Sequence, residues 1–374
     1  MTQGPSADFS MQRSSREATN IPKVLAEWLA TQLPDAAEPT VTLHTGIAAN
    51  GMSSETLVLN ASWTVQGERR EGEFVARVAP ADEDVPVFPT YRLQDQFDAM
   101  RLAAEHSDVP VPTVRWMEPT GDVLGTPFFL MDRVEGAVPP DVLPYNFGDN
   151  WLFDAGAEQQ RRLQDNTVAV IAGLHGIADA ASTFAFLEAD AAGDSSLRRN
   201  LARTRAWYDF AVTDGEPSQL IERGLTWLEA RVPTGTATVL CWGDARIGNV
   251  LYRDFEPVGV LDWEMAAVGP REMDLAWLVF AHRVFESIAG VMELPGMPDF
   301  LREDDVRSAY AEATGVEVGD LGWFQLYDAV QWGIVFMRTG ARQVRFGEIE
   351  QPDDVESLMH HRGLFEQLLD EAGA

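Results

Sequence analysis

The sequence predicts an α+β protein with two lobes, an N-terminal lobe built on an antiparallel sheet and a larger, mainly helical C-terminal lobe. Residues 41–77 alternate between apolar and polar side chains with a period close to two, which is typical of strands. From about residue 139 onward, most apolar side chains recur at helical spacing. Strands followed by a run of helices, rather than alternating with helices, indicate an α+β architecture.

The first predicted element is a helix over residues 21–33. Asn20 is the expected capping residue, and Pro22 lies in the first turn, where proline is well tolerated. Apolar side chains then follow at the spacing of one helical face. Residues 1–19 are polar and rich in serine, and we expect them to be flexible.

Two strands are predicted over residues 56–65 and 74–78, with a turn at Gly67 between them. The segment before them, residues 46–56, is rich in small residues whose backbone N–H groups could approach phosphate oxygens. Alone, this pattern favours an ordinary turn. Its position ahead of an acidic loop makes it a candidate phosphate-binding loop.

The chain then continues with a helix over residues 91–106 and a proline-containing extended connector. Two further strands are predicted at residues 114–117 and 127–136. The lobe boundary is placed after the second strand on the family resemblance given below. We therefore expect an N-terminal lobe over residues 20–134 and a helical lobe over residues 135–374. Helices in the second lobe are predicted over residues 163–177, 226–231, 275–285 and 323–337.

A polar loop after an apolar strand carries the main functional signal. Asp244 is followed by Asn249 and, after a second apolar run, by Asp262. This is the order in which phosphoryl-transferring enzymes supply a base and two metal ligands. Carboxylate and amide oxygens are the hard ligands that Mg²⁺ prefers. A single such residue would be explained as a turn former, but three in this order favour a catalytic loop.

The stretch contains three short motifs, Trp-Gly-Asp at 242–244, Leu-Asp-Trp-Glu at 261–264 and Gly-Pro at 269–270 ahead of Asp274. Together they resemble the aminoglycoside phosphotransferase family, whose fold is similar to that of the protein kinases. The Arg-Ile-Gly-Asn form of residues 246–249 resembles the branch related to kinase domains found beside acyl-CoA dehydrogenases. The resemblance covers about residues 40–350.

The resemblance implies ATP as the phosphate donor and Mg²⁺ as the metal. Asp244 would accept the substrate proton, and Arg246 would face the γ-phosphate, although a salt-bridge role fits Arg246 equally well. Asn249 and Asp262 would hold the metal, and Asp274 would support the loop through buried hydrogen bonds. The implied nucleotide contacts come from Gly51, Ser53, Ser54, Thr56, Arg77, Met131, Asp132, Arg133 and Val134, the last four forming a hinge against adenine.

Three positions depart from the family pattern. Trp242 stands where the family usually has histidine, and Arg77 stands where it has a lysine that binds phosphate. Arginine keeps the charge but not the geometry of lysine. Asp95 or Gln96 occupies the place of the glutamate that pairs with this lysine, so the partner of Arg77 is left open.

Composition excludes several classes of function. A net charge of −31 over 374 residues argues against nucleic-acid binding, which needs clustered cations. The charge fits a polycationic substrate, and it equally fits a protein kept soluble by its acidity. No apolar run is long enough for a membrane span, and the first residues lack the apolar segment of a secretory signal. The single cysteine, Cys241, fits a reducing compartment. We therefore expect a cytoplasmic protein without a membrane partner. His175 is predicted to be a buried hydrogen-bonding residue.

These observations lead to one main functional hypothesis. The protein is expected to phosphorylate a hydroxyl group of a small molecule with ATP and Mg²⁺. The acceptor is an aminoglycoside by family resemblance, or a hydroxyacyl compound or other metabolite alcohol by branch resemblance. A nucleotide-binding regulator without turnover and, less favoured, a metal-dependent hydrolase are the alternatives.

Overall fold

The structure is a computed structural model that describes residues 20–33, 36–44, 53–141, 144–188 and 191–374. Its N-terminal part, here called the sheet lobe, is built on a five-stranded antiparallel sheet, and its larger C-terminal part, here called the helical lobe, is mainly helical, which confirms the predicted fold class. The segment 1–19 and the predicted phosphate-loop residue Gly51 lie outside the described residues.

The sheet lobe contains one five-stranded sheet. Its strands are β1 (Ala36–Leu43), β2 (Glu55–Val65), β3 (Glu68–Val78), β4 (Val114–Glu118) and β5 (Phe128–Asp132). They are all antiparallel and lie in the order β1-β2-β3-β5-β4. Strand β3 begins six residues before the predicted start. The prediction missed its first residues because residues 68–71 are all exposed, so apolar and polar side chains do not alternate there. The register pairs Thr56 with Arg77, so these two residues lie side by side.

The predicted first helix is present as α1 (Ile21–Gln32), and it packs on this sheet. Its buried face includes Trp28, whose ring meets Phe128 of β5 edge-on at a centroid distance of 4.7 Å. Asn20 occupies the N-cap position, but its side chain makes no capping hydrogen bond, so that part of the prediction is wrong. Helix α2 (Leu93–His106) follows β3 and packs beside β4 and β5.

The helical lobe consists of eight helices in the described part of the chain and two short hairpin-like sheets. The helices are α3 (Ala157–His175), α4 (Ala180–Thr183), α5 (Ser196–Ala211), α6 (Gln219–Ala230), α7 (Glu272–Val291), α8 (Glu303–Thr314), α9 (Gly322–Arg345) and α10 (Arg362–Ala372). Within the described ranges, none of them combines the length and apolar character needed to cross a bilayer.

Helix α9 extends eight residues beyond its predicted end at residue 337. The apolar pattern breaks at Arg338 because Arg338 and Arg342 face the sheet lobe rather than the core. The guanidinium of Arg338 donates to the carbonyl of Pro86 at 2.9 Å, and that of Arg342 donates to the carbonyl of Val85 at 3.3 Å. Both carbonyls lie in the connection between β3 and α2.

Helix α5 adds a third bond to the same connection. The indole N–H of Trp207 donates to the carbonyl of Val87 at 2.8 Å. Three consecutive carbonyls of the sheet lobe therefore accept hydrogen bonds from the helical lobe. We call these contacts of Trp207, Arg338 and Arg342 with residues 85–87 the interlobe clasp.

Two pairs of short strands frame the loops that carry the acidic motif. Strand β6 (Val239–Cys241) pairs with β9 (Ala267–Gly269), and β7 (Val250–Arg253) pairs with β8 (Glu256–Val260). Both pairs are antiparallel. The connections between them, residues 242–249 and 261–266, are thereby held on one side of the helical lobe.

Candidate active site

The two connections pass close to each other at Gly243. Its φ is +93°, and a Cβ atom added there would lie 2.2 Å from the carbonyl oxygen of Met265. Only glycine fits such a contact in this conformation. The close approach places the neighbouring Asp244 beside the connection that carries Asp262.

Three hydrogen-bond donors fix the carboxylate of Asp244. Oδ1 accepts from Nε of Arg246 at 3.0 Å and from the indole N–H of Trp277 at 2.6 Å. Oδ2 accepts from Nδ2 of Asn249 at 2.6 Å. The predicted base and the first predicted metal ligand are therefore in direct contact.

Arg246 lies between two carboxylates. Besides Asp244, its Nη1 donates to Oδ2 of Asp141, which comes from the segment before α3. Burial lowers the pKa of Arg246, but the attraction of Asp141 and Asp244 outweighs burial and raises the pKa above its ordinary value. Gly248 leaves room for this pair, because a Cβ there would lie 2.5 Å from Asp141. The Arg246 guanidinium therefore links two acidic side chains.

Asp262 is placed at the end of β8 next to Asn249. The backbone N–H of Leu261 donates to the carbonyl of Asn249 at 2.8 Å, which ties the two connections together. Asp262 itself has a φ of +57°, a conformation that costs free energy in residues other than glycine. Such strain is concentrated at functional sites, and here it turns the carboxylate toward the sheet lobe.

Arg77 of β3 reaches across the lobes to Asp262. Its Nη2 donates to Oδ1 of Asp262 at 2.8 Å and to Oε2 of Glu264 at 3.3 Å, while Nη1 donates to Thr56 at 3.2 Å. The partner that the sequence left open is therefore the pair Asp262 and Glu264. Neither residue predicted from α2 takes this place.

The two α2 residues have other surroundings. Asp95 pairs with Arg92 in the preceding turn, and Gln96 is buried in the helix interface. The α2 position that usually supplies a glutamate thus contributes no charge to Arg77. Glu264, two residues after Asp262, instead approaches Arg77 from the helical lobe and accepts its hydrogen bond.

Burial dominates the electrostatics of this cluster. It raises the pKa of Glu264, with a further contribution from Asp262, to about 8. Burial also raises the pKa of Asp262, against the opposing effect of Arg77. For Arg77 the attraction of the two acids outweighs burial, and its pKa is raised. Asp262 and Glu264 therefore lie close together around the buried guanidinium of Arg77.

The small-residue segment is described from Ser53 onward. Ser53 donates its hydroxyl to Glu264, and Thr56 accepts from Arg77. The hydroxyl of Ser54 is buried and has no hydrogen-bond partner among the described residues. An unpaired buried hydroxyl costs free energy, so Ser54 is the residue of this group that a ligand oxygen could satisfy.

The predicted hinge lies at the end of β5. The N–H groups of Asp132 and Arg133 donate to the carbonyls of Thr113 and Glu73 at 2.9 and 3.0 Å. Met131 lies within the sheet ladder, paired with both neighbouring strands. Val134 is the second residue beyond the strand, and its N–H has no backbone partner among the described residues.

Asp274 holds the start of the connection 242–249 through hydrogen bonds to its backbone. It is fully buried, and it accepts the backbone N–H groups of Trp242 and Gly243, each at 2.8 Å. These bonds confirm its predicted structural role. The indole of Trp242 in turn donates to the carbonyl of Leu261 at 2.8 Å, so the residue that replaces the family histidine connects the two site loops.

His175 is buried as predicted, and both of its ring nitrogens are used. One lies 3.0 Å from the hydroxyl of Tyr310 and the other 3.0 Å from Asp274. The thiol of Cys241 is close to this pair and donates to the carbonyl of Pro270 at 3.2 Å. Because the polar atoms of this group are satisfied within the protein, we interpret it as a structural network beneath the site.

Three residues of the site were missed from the sequence. Glu264 carries a local signal, since it follows Asp262 within the same short motif. Asp141 and Trp277 carry none, because an acid in a turn and a tryptophan on a helix are ordinary in those contexts. Their roles appear only through contacts with Arg246 and Asp244.

The fold and these loop residues place the chain among the protein-kinase-like phosphotransferases. Residues 57–313 match the model of the phosphotransferase enzyme family, and the chain belongs to that family. It is 26% identical over 236 residues to an Arabidopsis thaliana protein named "Probable acyl-CoA dehydrogenase IBR3". This match covers 59% of the chain but only 27% of the relative, so the chain spans about a quarter of that relative's length.

Solved structures show the same fold. A provisionally assigned aminoglycoside phosphotransferase from Ralstonia eutropha JMP134 superposes with a TM-score of 0.64 at 18% identity, covering 94% of this chain and 98% of that chain. A mutant of the aminoglycoside phosphotransferase APH(4)-Ia, in complex with AMP-PNP and hygromycin B, gives 0.52 at 14% identity, with coverages of 94% and 99%. The predicted family is thus confirmed, and the similarity to a protein named as an acyl-CoA dehydrogenase is in line with the predicted branch.

Proposed function

We propose that this protein transfers the terminal phosphoryl group of ATP, with Mg²⁺, to a hydroxyl group of a small molecule. The observation that carries this proposal is the convergence of Asp244, Asn249 and Asp262 on two adjacent loops, facing Arg77 of the sheet lobe. The same three residues, in this order, supply the base and the metal ligands in kinases.

In this proposal Asp244 orients the acceptor and takes its proton. The acceptor oxygen attacks the γ-phosphorus, the bond from the γ-phosphorus to the bridging oxygen breaks, and ADP leaves with the electron pair. Catalysis rests mainly on positioning and on neutralising charge. The three donors around Asp244 fix its carboxylate before the acceptor arrives. Arg246 remains a candidate for neutralising the transferred group, although its contacts are to Asp141 and Asp244.

The residues present fit Mg²⁺. Nδ2 of Asn249 is turned to Asp244, and among the described residues no donor meets its Oδ1. Asp262 uses Oδ1 for Arg77, which leaves Oδ2. One carboxylate oxygen and one amide oxygen are the hard donors that Mg²⁺ takes beside phosphate oxygens. When bound there, the metal would neutralise charge on the β- and γ-phosphates.

Nucleotide binding is assigned to the facing sheet lobe. Ser53, Ser54, Thr56 and the undescribed Gly51 would approach the phosphates, with Ser54 offering its unpaired hydroxyl. The adenine would lie against the hinge, residues 131–134. The N–H groups of Asp132 and Arg133 are engaged, whereas that of Val134 has no backbone partner among the described residues, so Val134 is the preferred donor to the base.

Two classes of acceptor are supported by different observations. The net charge of −31 favours a polycation such as an aminoglycoside. The similarity to a relative named as an acyl-CoA dehydrogenase favours a hydroxyacyl compound or another metabolite alcohol. Purified protein should be mixed with Mg²⁺-ATP and members of both classes, and ADP should be measured. ADP release that depends on one class identifies the acceptor; nucleotide binding with no ADP release would instead indicate a regulator.

Replacing Asp262 should remove the dependence on metal together with the activity. We expect Asp262→Ala to lower turnover by at least about 100-fold, because Asn249 alone supplies too few oxygen ligands. Residual activity should no longer rise with Mg²⁺ concentration. The measurement is ADP release during a Mg²⁺ titration, with Asp165→Ala, an exposed acid on α3, as the control. A normal Mg²⁺ response in Asp262→Ala would remove this residue from the metal site.

Replacing Arg77 should weaken nucleotide binding. Arg77→Ala removes the buried cation that faces Asp262 and Glu264, so the phosphates would lose a positive partner and would meet the uncompensated charge of Asp262. The expected loss of affinity is about 10- to 100-fold, the usual effect of a hydrogen bond to a charged group. Calorimetric titration with Mg²⁺-ATP measures it, and Arg101→Ala on the surface of α2 is the matched control. Unchanged affinity would exclude Arg77 from the nucleotide site.

A further inference from the structure

Helix α7 contacts the connection 242–249, here called the catalytic loop, both at its backbone and at one side chain. Asp274, in its first turn, binds the backbone of residues 242 and 243. Trp277 lies three residues later, on the same face of the helix. Its ring is 3% exposed, and its N–H reaches the side chain of Asp244 at 2.6 Å. One helical turn therefore fixes the loop's backbone and also the carboxylate of Asp244.

The donors around Asp244 are distributed unevenly between its two oxygens. A carboxylate oxygen has two lone-pair positions, so the group accepts about four hydrogen bonds. Oδ1 receives both Arg246 and Trp277 and is filled. Among the described residues, Oδ2 receives only the side chain of Asn249, which leaves one position. The next donor to reach this carboxylate must therefore meet Oδ2.

We propose that Trp277 is a positioning residue that fixes the rotation of the Asp244 carboxylate, so that Oδ2 is the atom that accepts the proton of the attacking oxygen. This inference rests on the proposed phosphotransferase function. The Trp277 bond is charge-assisted and shorter than the 3.0 Å bond from Arg246, which also pairs with Asp141. Without Trp277, Oδ1 would have an open position and the carboxylate could turn.

Packing alone would explain a buried tryptophan, so the test must separate the N–H from the ring. Trp277→Phe removes the donor and part of the ring. Replacing Trp277 with its benzothiophene analogue keeps the ring shape and removes only the N–H. Trp332→Phe is the matched control, because Trp332 contacts the Trp277 ring edge-on at 6.2 Å and makes no contact with Asp244.

The assay is ATP hydrolysis with Mg²⁺-ATP and water as the acceptor, run beside thermal unfolding. Both Trp277 variants should show a kcat about 10- to 100-fold lower, since a hydrogen bond to a charged group is lost, while KM for ATP stays unchanged. Trp332→Phe should keep its kcat. In the wild type, the indole N–H signal of Trp277 should lie downfield of the other indole signals, and it should move upfield in Asp244→Ala.

Each outcome decides one question. Wild-type kcat in the benzothiophene variant overturns the role of Trp277 and leaves the proposed function intact. An equal loss of kcat in Trp332→Phe shows that packing, not the N–H, is responsible, and it also overturns the inference. If wild-type protein releases no ADP with water or with any acceptor tested, the proposed function fails, and this inference fails with it.

Discussion

Asp244→Asn should reduce turnover about 1,000-fold, the middle of the range that general-base catalysis contributes. The amide keeps the size of the side chain but cannot take the acceptor's proton, and it loses the charge that attracts Arg246 and Trp277. Nucleotide affinity should remain close to that of the wild type, because Arg77 and the residues of the sheet lobe are untouched. Turnover is measured as ADP release at saturating Mg²⁺-ATP.

The matched control for this change is Asp165→Asn, an exposed acid on α3 that pairs with Arg161 in the same helix. It alters the net charge by the same amount and leaves the site intact, so its turnover should equal that of the wild type. Asp244→Asn with wild-type turnover would show that another group takes the proton. A parallel loss of nucleotide affinity would indicate that the loop had been rearranged.

Asp274→Ala should have the largest effect on stability. The substitution leaves the N–H groups of Trp242 and Gly243 without partners in the core, and it also removes the partner of His175. The free energy of unfolding should fall by about 4 kcal/mol, as is typical when one member of a buried charged network is removed. Urea unfolding at 25 °C, followed by tryptophan fluorescence, measures this change.

Asp304→Ala provides the comparison, because the Asp304 side chain on α8 is 97% exposed and should contribute almost nothing to stability. If the two variants unfolded at the same urea concentration, Asp274 could not be the anchor of the loop. A partial rescue by Asp274→Asn is also expected, since an amide oxygen can still accept one of the two N–H groups.

The fold class and the order of the acidic residues could be predicted from the sequence because both are local. Alternation identifies strands over a few residues, and Asp244, Asn249 and Asp262 lie within 19 positions of one another. The exposed start of β3 and the last turns of α9 could not be predicted in the same way. The first residues of β3 are exposed on both faces of the strand, so they lack the alternation that identifies a strand. The last turns of α9 contain arginines that are buried against the other lobe, whereas charged residues are expected to be exposed.

The contact partners of the predicted site residues could not be predicted from the sequence. Arg77 is separated from Asp262 by 185 positions and from Glu264 by 187, while Arg246 and Asp141 are 105 apart. No periodicity or motif connects residues at such distances. Even Trp277, 33 positions after Asp244, is indistinguishable in sequence from the other aromatic residues of α7. Tertiary packing alone brings these partners together.

The interlobe clasp has a mechanical consequence. The clasp at residues 85–87 holds the two parts of the chain together away from the acidic loops. Other described bonds do the same, since the carbonyl of Pro110 accepts the N–H of Val260 at 2.8 Å and Arg77 pairs with Asp262. Bonds at several separate places resist movement of one part against the other, so the separation between Arg77 and Asp262 is held by contacts far from the site as well as by their own ion pair.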